Sequence, residues 1–118
     1  MGKHVLVVDD DPIMLRLMRT YLQNEYKVSI VNSGRAALQF LDKFTPDVII
    51  LDYLMPEEDG AQTMRNIYAK EGCGNIPIIF VTGLEQADKL EECKALNPYV
   101  VLQKPVEQAK LLDILKGI

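Results

Sequence analysis

The chain has 118 residues, 48% of them hydrophobic and 25% charged, enough apolar material for the core of one domain over residues 1–118 and far from the composition of a disordered tail. A formal net charge of -4, with no basic cluster longer than two residues, gives no electrostatic footprint for a phosphate backbone, so direct nucleic-acid binding is not expected. Cys73 and Cys93 lack a short metal-ligand spacing, and neither a signal-peptide core nor an apolar span of about 18 residues occurs, so a reduced cytoplasmic setting without membrane attachment is expected.

Five apolar runs alternate with five amphipathic stretches, the spacing of βαβ units around a parallel sheet, which predicts an α/β fold of (βα)5 type. The first run, Val5-Leu6-Val7-Val8, closes on Asp9-Asp10. Asp11-Pro12 then supplies a helix cap followed by a proline at the first helical position, and Met14, Leu17, Met18, Tyr21 and Leu22 recur at helical spacing, predicting a helix from Pro12 to Asn24. Tyr26 to Val31 alternates in the manner of an edge strand with one wet face. Asn32-Ser33 caps a second helix with Ala36, Ala37, Phe40 and Leu41 on its apolar face, and Pro46 marks the return to the sheet.

The third strand, Val48-Ile49-Ile50-Leu51, is apolar on both faces and closes on Asp52. After the Pro- and Gly-punctuated segment Tyr53 to Gly60 comes a helix carrying Met64, Ile67 and Tyr68, ended by Gly72 to Asn75. A fourth strand begins near Ile76 and closes on Thr82-Gly83. A fourth helix is predicted from Glu85 to Leu96, a fifth strand from Tyr99 to Leu102, and a last helix from Pro105, after Gln103-Lys104.

Strands of a parallel sheet deliver their final residues to one edge, where open α/β folds bind ligands. Asp9, Asp10 and Asp52 therefore converge as an acid cluster with the oxygen donors a hard divalent cation prefers. Thr82 and Lys104 arrive at the same edge from two other strands, a hydroxyl and an ammonium suited to phosphoryl oxygens. Asp11 and Asp59 are better read as helix caps. His4 starts the first strand at the opposite edge and is expected to be structural or exposed.

These residues resemble the receiver domain of two-component response regulators: the Asp9-Asp10 pair, Asp52 within Leu51-Asp52-Tyr53-Leu54-Met55-Pro56-Glu57-Glu58-Asp59-Gly60, Val81-Thr82-Gly83 and Lys104-Pro105 follow the family's motifs in order and spacing. The resemblance covers the whole chain. It implies a doubly wound, flavodoxin-like five-stranded sheet in the order 2-1-3-4-5 with helices on both faces. It further implies that Asp52 accepts a phosphoryl group from a sensor histidine kinase or a histidine phosphotransfer protein. Asp9, Asp10, Asp52 and the backbone carbonyl of Leu54 would hold Mg2+. Thr82 and Gly83 would meet the phosphoryl group, with Lys104 pairing to it or to Asp52. The output expected is a change in the face formed by helix four, strand five and helix five, which would act on a downstream protein, on an output domain or on a second copy of the chain.

One position departs from that pattern. The residue three before Lys104, usually aromatic in the family, is Val101, and Tyr99 lies two residues earlier on the same side of the strand. Either Tyr99 serves from a displaced position or the readout works without a rotating ring. Leu54 and Leu84 are apolar positions expected to shield an acyl phosphate from water. Two other functions share parts of this pattern. A pseudo-receiver that binds partners without phosphorylation would have lost one of Asp10, Asp52, Thr82 or Lys104, and all are present. A Mg2+-dependent phosphohydrolase would carry a second acid two residues after its nucleophile, where this chain has Leu54. A signalling switch, not an enzyme turning over an external substrate, is the expectation.

Overall fold

The computed structural model describes residues 3–55, 58–83 and 90–118, the side chains of residues 54 and 58 apart. Its main sheet has five parallel strands, β1 (His4–Val8), β2 (Lys27–Val31), β3 (Val48–Asp52), β4 (Ile78–Thr82) and β5 (Val100–Gln103). They lie in the order β2-β1-β3-β4-β5. The helices are α1 (Pro12–Leu22), α2 (Gly34–Leu41), α3 (Gly60–Ala69), α4 (Leu90–Ala95) and α5 (Gln108–Lys116). Among the described residues, no helix is long and apolar enough to cross a membrane.

Both faces of the central strands are buried, and the two-residue period of a strand sorts their side chains into two layers. Leu6, Val8, Ile49, Leu51, Ile78 and Phe80 pack with Ala37, Leu41, Met64, Ile67 and Cys93, so α2, α3 and α4 cover one face. Val5, Val7, Val48, Ile50, Ile79, Val81 and Leu102 pack with Leu15, Met18, Leu22, Leu111 and Leu115, so α1 and α5 cover the other. Each fully buried Leu, Ile or Val contributes about 1.5–3 kcal/mol. A one-residue slip of any central strand would exchange its two faces, which is why register here is strongly specified.

Three helix starts follow the sequence closely, whereas α5 begins at Gln108 rather than Pro105, its first bond being from the Leu111 amide to the Glu107 carbonyl. Asp11 accepts from the Ile13 amide at 2.9 Å, Ser33 from Ala36 at 3.0 Å and Asp59 from Ala61 at 2.9 Å, each satisfying an amide that the helix itself leaves unpaired. Helix ends differ from expectation. Helix α1 stops at Leu22 rather than Asn24, because the Leu22 carbonyl accepts from both Glu25 and Tyr26 and closes the chain into a turn. Its most buried residues are Leu15, Met18 and Leu22, with Leu17 half-buried. Strand β2 takes the expected edge position but begins at Lys27. Strand β4 starts at Ile78 instead of Ile76, since Pro77 has no amide to give the ladder and offers only its carbonyl to Ile49. The predicted start of helix four, at Glu85, lies outside the described residues; the helix ends at Ala95, one residue early.

Candidate functional site

Four of the five strands that end at this edge, β1, β3, β4 and β5, bring a polar group there, while β2 ends on Val31. Asp9 follows β1 directly; its amide donates to Val31 and its Oδ1 accepts the Asp11 amide at 2.9 Å, so the carboxylate is held by the same turn that caps α1. Asp52 is the last residue of β3, in register with Val81 of β4. Both carboxylates are buried, at 4% exposure, while Asp10 is exposed. Donor oxygens of Asp9, Asp10 and Asp52 all lie within 4.8 Å of one another.

Lys104 follows β5, and its amide donates to the Thr82 carbonyl at 2.7 Å, tying the two strand ends together. Its ammonium stands 3.4 Å from Asp9 Oδ2 and 3.7 Å from Asp52 Oδ1. Burial raises the Asp9 carboxyl above the ordinary carboxylate value, with Asp10 adding to the rise against the Asp11 amide and Lys104, which favour ionisation. Burial by itself would lower Lys104, but the carboxylates of Asp52, Asp9 and Asp11 outweigh it and hold the ammonium above its usual value. The Lys104–Pro105 peptide is cis.

Thr82 ends β4 fully buried, and its Oγ1 has no hydrogen-bond partner among the described residues. A buried hydroxyl left so costs about 1–3 kcal/mol, a cost that an incoming acceptor oxygen would remove. Gly83, also buried, follows it. The acid cluster and this hydroxyl fit a magnesium ion and a phosphoryl group: hard oxygen donors converge at one point with an ammonium beside them, and the neighbouring strand ends in a buried O–H without a partner among the described residues.

The remaining expected residues are spread more widely. Leu54 pairs with Asp59 in a two-residue antiparallel ladder just beyond Asp52; its side chain and all of Leu84 lie outside the described residues. Val101 is half-buried against the α2–α4 layer, in register with Phe80. Tyr99 sits at the other end of β5, level with Ile78, whose carbonyl accepts its amide at 2.8 Å. Its ring is half exposed, with the hydroxyl beside Gly117 past the end of α5.

A group the sequence reading passed over stands next to Asp52. Tyr53 is buried, its ring meets Phe80 edge to face at 5.1 Å, and its hydroxyl donates to Glu92 Oε1 of α4 at 2.6 Å. Burial, reinforced by Glu92, raises the phenol well above its ordinary value. The available signal was the alternation Ile49, Leu51, Tyr53, which carries the tyrosine into the α2–α4 layer although it falls in a loop.

Residues 5–116 match the family described as "Response regulator receiver domain". The chemotaxis protein CheY of Halobacterium salinarum is 27% identical over 119 residues, covering 100% of this chain and 98% of the relative. The regulatory protein VirG of Agrobacterium tumefaciens is 40% identical over 91 residues, covering 75% of this chain, which spans only a third of that longer relative (33%). Among solved structures, the chemotaxis response regulator CheY4 of Vibrio cholerae superposes with a TM-score of 0.88 at 30% identity, covering 99% of this chain and 98% of that one. The receiver domain of a sensor histidine kinase from Pseudomonas aeruginosa, described with magnesium coordinated in its active-site cleft, gives a TM-score of 0.88 at 29% identity, covering 99% of this chain and 97% of that one. With its strand order, helical layers and acidic pocket, the chain belongs to the receiver domains of the response-regulator family.

Proposed function

We propose that Asp52 is the phosphoacceptor of a Mg2+-dependent signalling switch. The observation that carries this is a buried carboxylate set within 4.8 Å of two more acids and 3.7 Å from the Lys104 ammonium, with the Thr82 hydroxyl, buried without a partner among the described residues, at the end of the neighbouring strand. In the transfer, an Asp52 oxygen forms a bond to phosphorus while the N–P bond of a donor phosphohistidine breaks. The imidazole leaves with the electron pair. Lys104 neutralises a phosphoryl oxygen, and the Thr82 hydroxyl donates to another. Asp9, Asp10, Asp52 and the Leu54 carbonyl would hold Mg2+, which when bound offsets charge on the phosphoryl oxygens.

The donor is a sensor histidine kinase or a histidine phosphotransfer protein of the cytoplasm. The output is a protein contact through the face of α4, β5 and α5, made with a downstream protein, an output domain or a second copy of the chain. Phosphate adds charge and acceptors beside Thr82 and Lys104, enough to bias that face. No turnover of an external substrate is part of this reading.

Intact-mass analysis after incubation with acetyl phosphate tests it. A phosphoryl adduct is expected that requires Mg2+ and is lost in Asp52→Asn. An adduct that persists in Asp52→Asn, or a folded parent that acquires none, would overturn the assignment.

A further inference from the structure

We infer that Tyr53 transmits the state of Asp52 to α4 through its hydrogen bond to Glu92, in place of the aromatic ring that Val101 lacks. This rests on the reading of Asp52 as phosphoacceptor and adds the route by which the acceptor reaches the output face. Tyr53 is the next residue after Asp52, so any shift of the acceptor's backbone moves it directly. Its amide donates to the Val81 carbonyl at 2.9 Å, immediately before Thr82, and its own carbonyl accepts from Gly60 at 2.8 Å. The residue is therefore held by the ends of both β4 and α3.

The strand period places Asp52 with Val48 and Ile50 toward α1 and α5, whereas Tyr53 follows Ile49 and Leu51 toward α4. Thr82 follows Ile78 and Phe80 toward that same layer. Tyr53 and Thr82 thus share a face with Phe80, and the Tyr53 ring meets the Phe80 ring edge to face, with the planes at 89°. At its far end the phenol donates to Glu92 Oε1 at 2.6 Å. Beside Glu92, Cys93 is wholly buried in the cluster that holds Tyr53 and Phe80.

A ring fixed on Phe80 and bonded at its tip behaves as a strut in a close-packed layer, passing displacement on instead of absorbing it. Val101 packs on the same layer but carries no polar atom to bond α4, and the Tyr99 hydroxyl lies beyond the end of α5. Tyr53 is a positioning residue: it acts on α4, not on the phosphoryl group.

Tyr53→Phe keeps the ring and removes only the donor, while Glu92→Ala removes the acceptor from an exposed position of α4. Each variant is phosphorylated with acetyl phosphate and Mg2+. The adduct is scored by intact mass, and the amide chemical-shift changes of residues 81–83 and 90–95 are compared with those of the parent. Both variants are expected to form adduct within about twofold of the parent rate and to keep the response at 81–83. Both should lose more than half of the response at 90–95. A full α4 response in Tyr53→Phe, or loss in Tyr53→Phe but not in Glu92→Ala, would overturn the coupling while leaving the acceptor reading intact. A parent that forms no adduct would overturn the acceptor reading and this coupling with it.

Discussion

At the scale of single residues, the acid cluster gathers the donors that a cation would take and must tolerate its own charge. Two unit charges 4.8 Å apart repel by about 1 kcal/mol even in a water-like dielectric, and by more where Asp9 and Asp52 are buried. Lys104 offsets part of this, yet Asp9 still holds its proton more firmly than an ordinary carboxyl because burial outweighs the stabilising contacts. Neutralising the exposed member should therefore relieve repulsion and weaken cation binding together. In metal-free buffer Asp10→Asn is expected to gain about 1 kcal/mol of unfolding free energy and to lose most of the stabilisation that added Mg2+ gives the parent. Urea unfolding with EDTA or with Mg2+ checks both signs; a variant that retains the parent's full magnesium shift would remove Asp10 from the ligand set. Asp11 and Asp59, by contrast, spend their oxygens on helix amides, so acids of the same type one or two turns away have unrelated roles.

At the scale of elements, the site is fixed by where strands end and helices begin. The junction of β3 with α3 is the tightest example. The Gly60 amide donates to the Tyr53 carbonyl, and a Cβ built on Gly60 would stand 2.3 Å from that oxygen, a backbone atom with little freedom to withdraw. Only glycine lets α3 start this close to the residue after Asp52. Gly60→Ala is expected to cost about 1–3 kcal/mol, as overpacking does, and to slow phosphoryl uptake from acetyl phosphate by displacing Tyr53 and with it Asp52. Urea denaturation together with adduct formation over time measures the two effects; a variant as stable and as quickly phosphorylated as the parent would show that the junction yields freely.

At the scale of the whole molecule, the edge opposite the site carries a separate pH response. His4 opens β1, its Nε2 lies 2.8 Å from Ser29 Oγ, and its ring meets Phe40 edge to face at 5.6 Å. Burial first, then Lys27, lower its pKa below the ordinary 6.5, against the smaller opposing effect of Asp47. The folded protein thus binds this proton less readily than the unfolded chain. Stability from neutral His4 is fully present above the unfolded value of 6.5 and is lost as pH falls through the lower folded value. Equilibrium unfolding between about pH 7 and pH 5 should show the parent losing stability faster than His4→Gln, which cannot titrate. Equal slopes would mean that the imidazole titrates alike in both states.

Much of this protein was legible from its residues. Two-sided apolar runs such as Val48 to Leu51 read as buried parallel strands because they are short and rich in β-branched residues, and the acids that close them had to share an edge. Asp11, Ser33 and Asp59 were readable as caps because their hydrogen bonds reach only two or three residues along the chain. Ends set by backbone competition were not, as where the Leu22 carbonyl draws in Tyr26 or Pro77 withholds an amide. Nor was the partner of Tyr53. Its burial followed from the strand period, but Glu92 lies 39 residues away and reads locally as one more solvated acid on a helix. The sequence by itself determined the layers, the edge and the acids on it, because those depend on local period and chain order. Tertiary structure alone decided which oxygens come within reach of Lys104, that the Thr82 hydroxyl is buried without a partner among the described residues, and that the phenol beside Asp52 bonds α4, since each depends on how distant elements pack against one sheet.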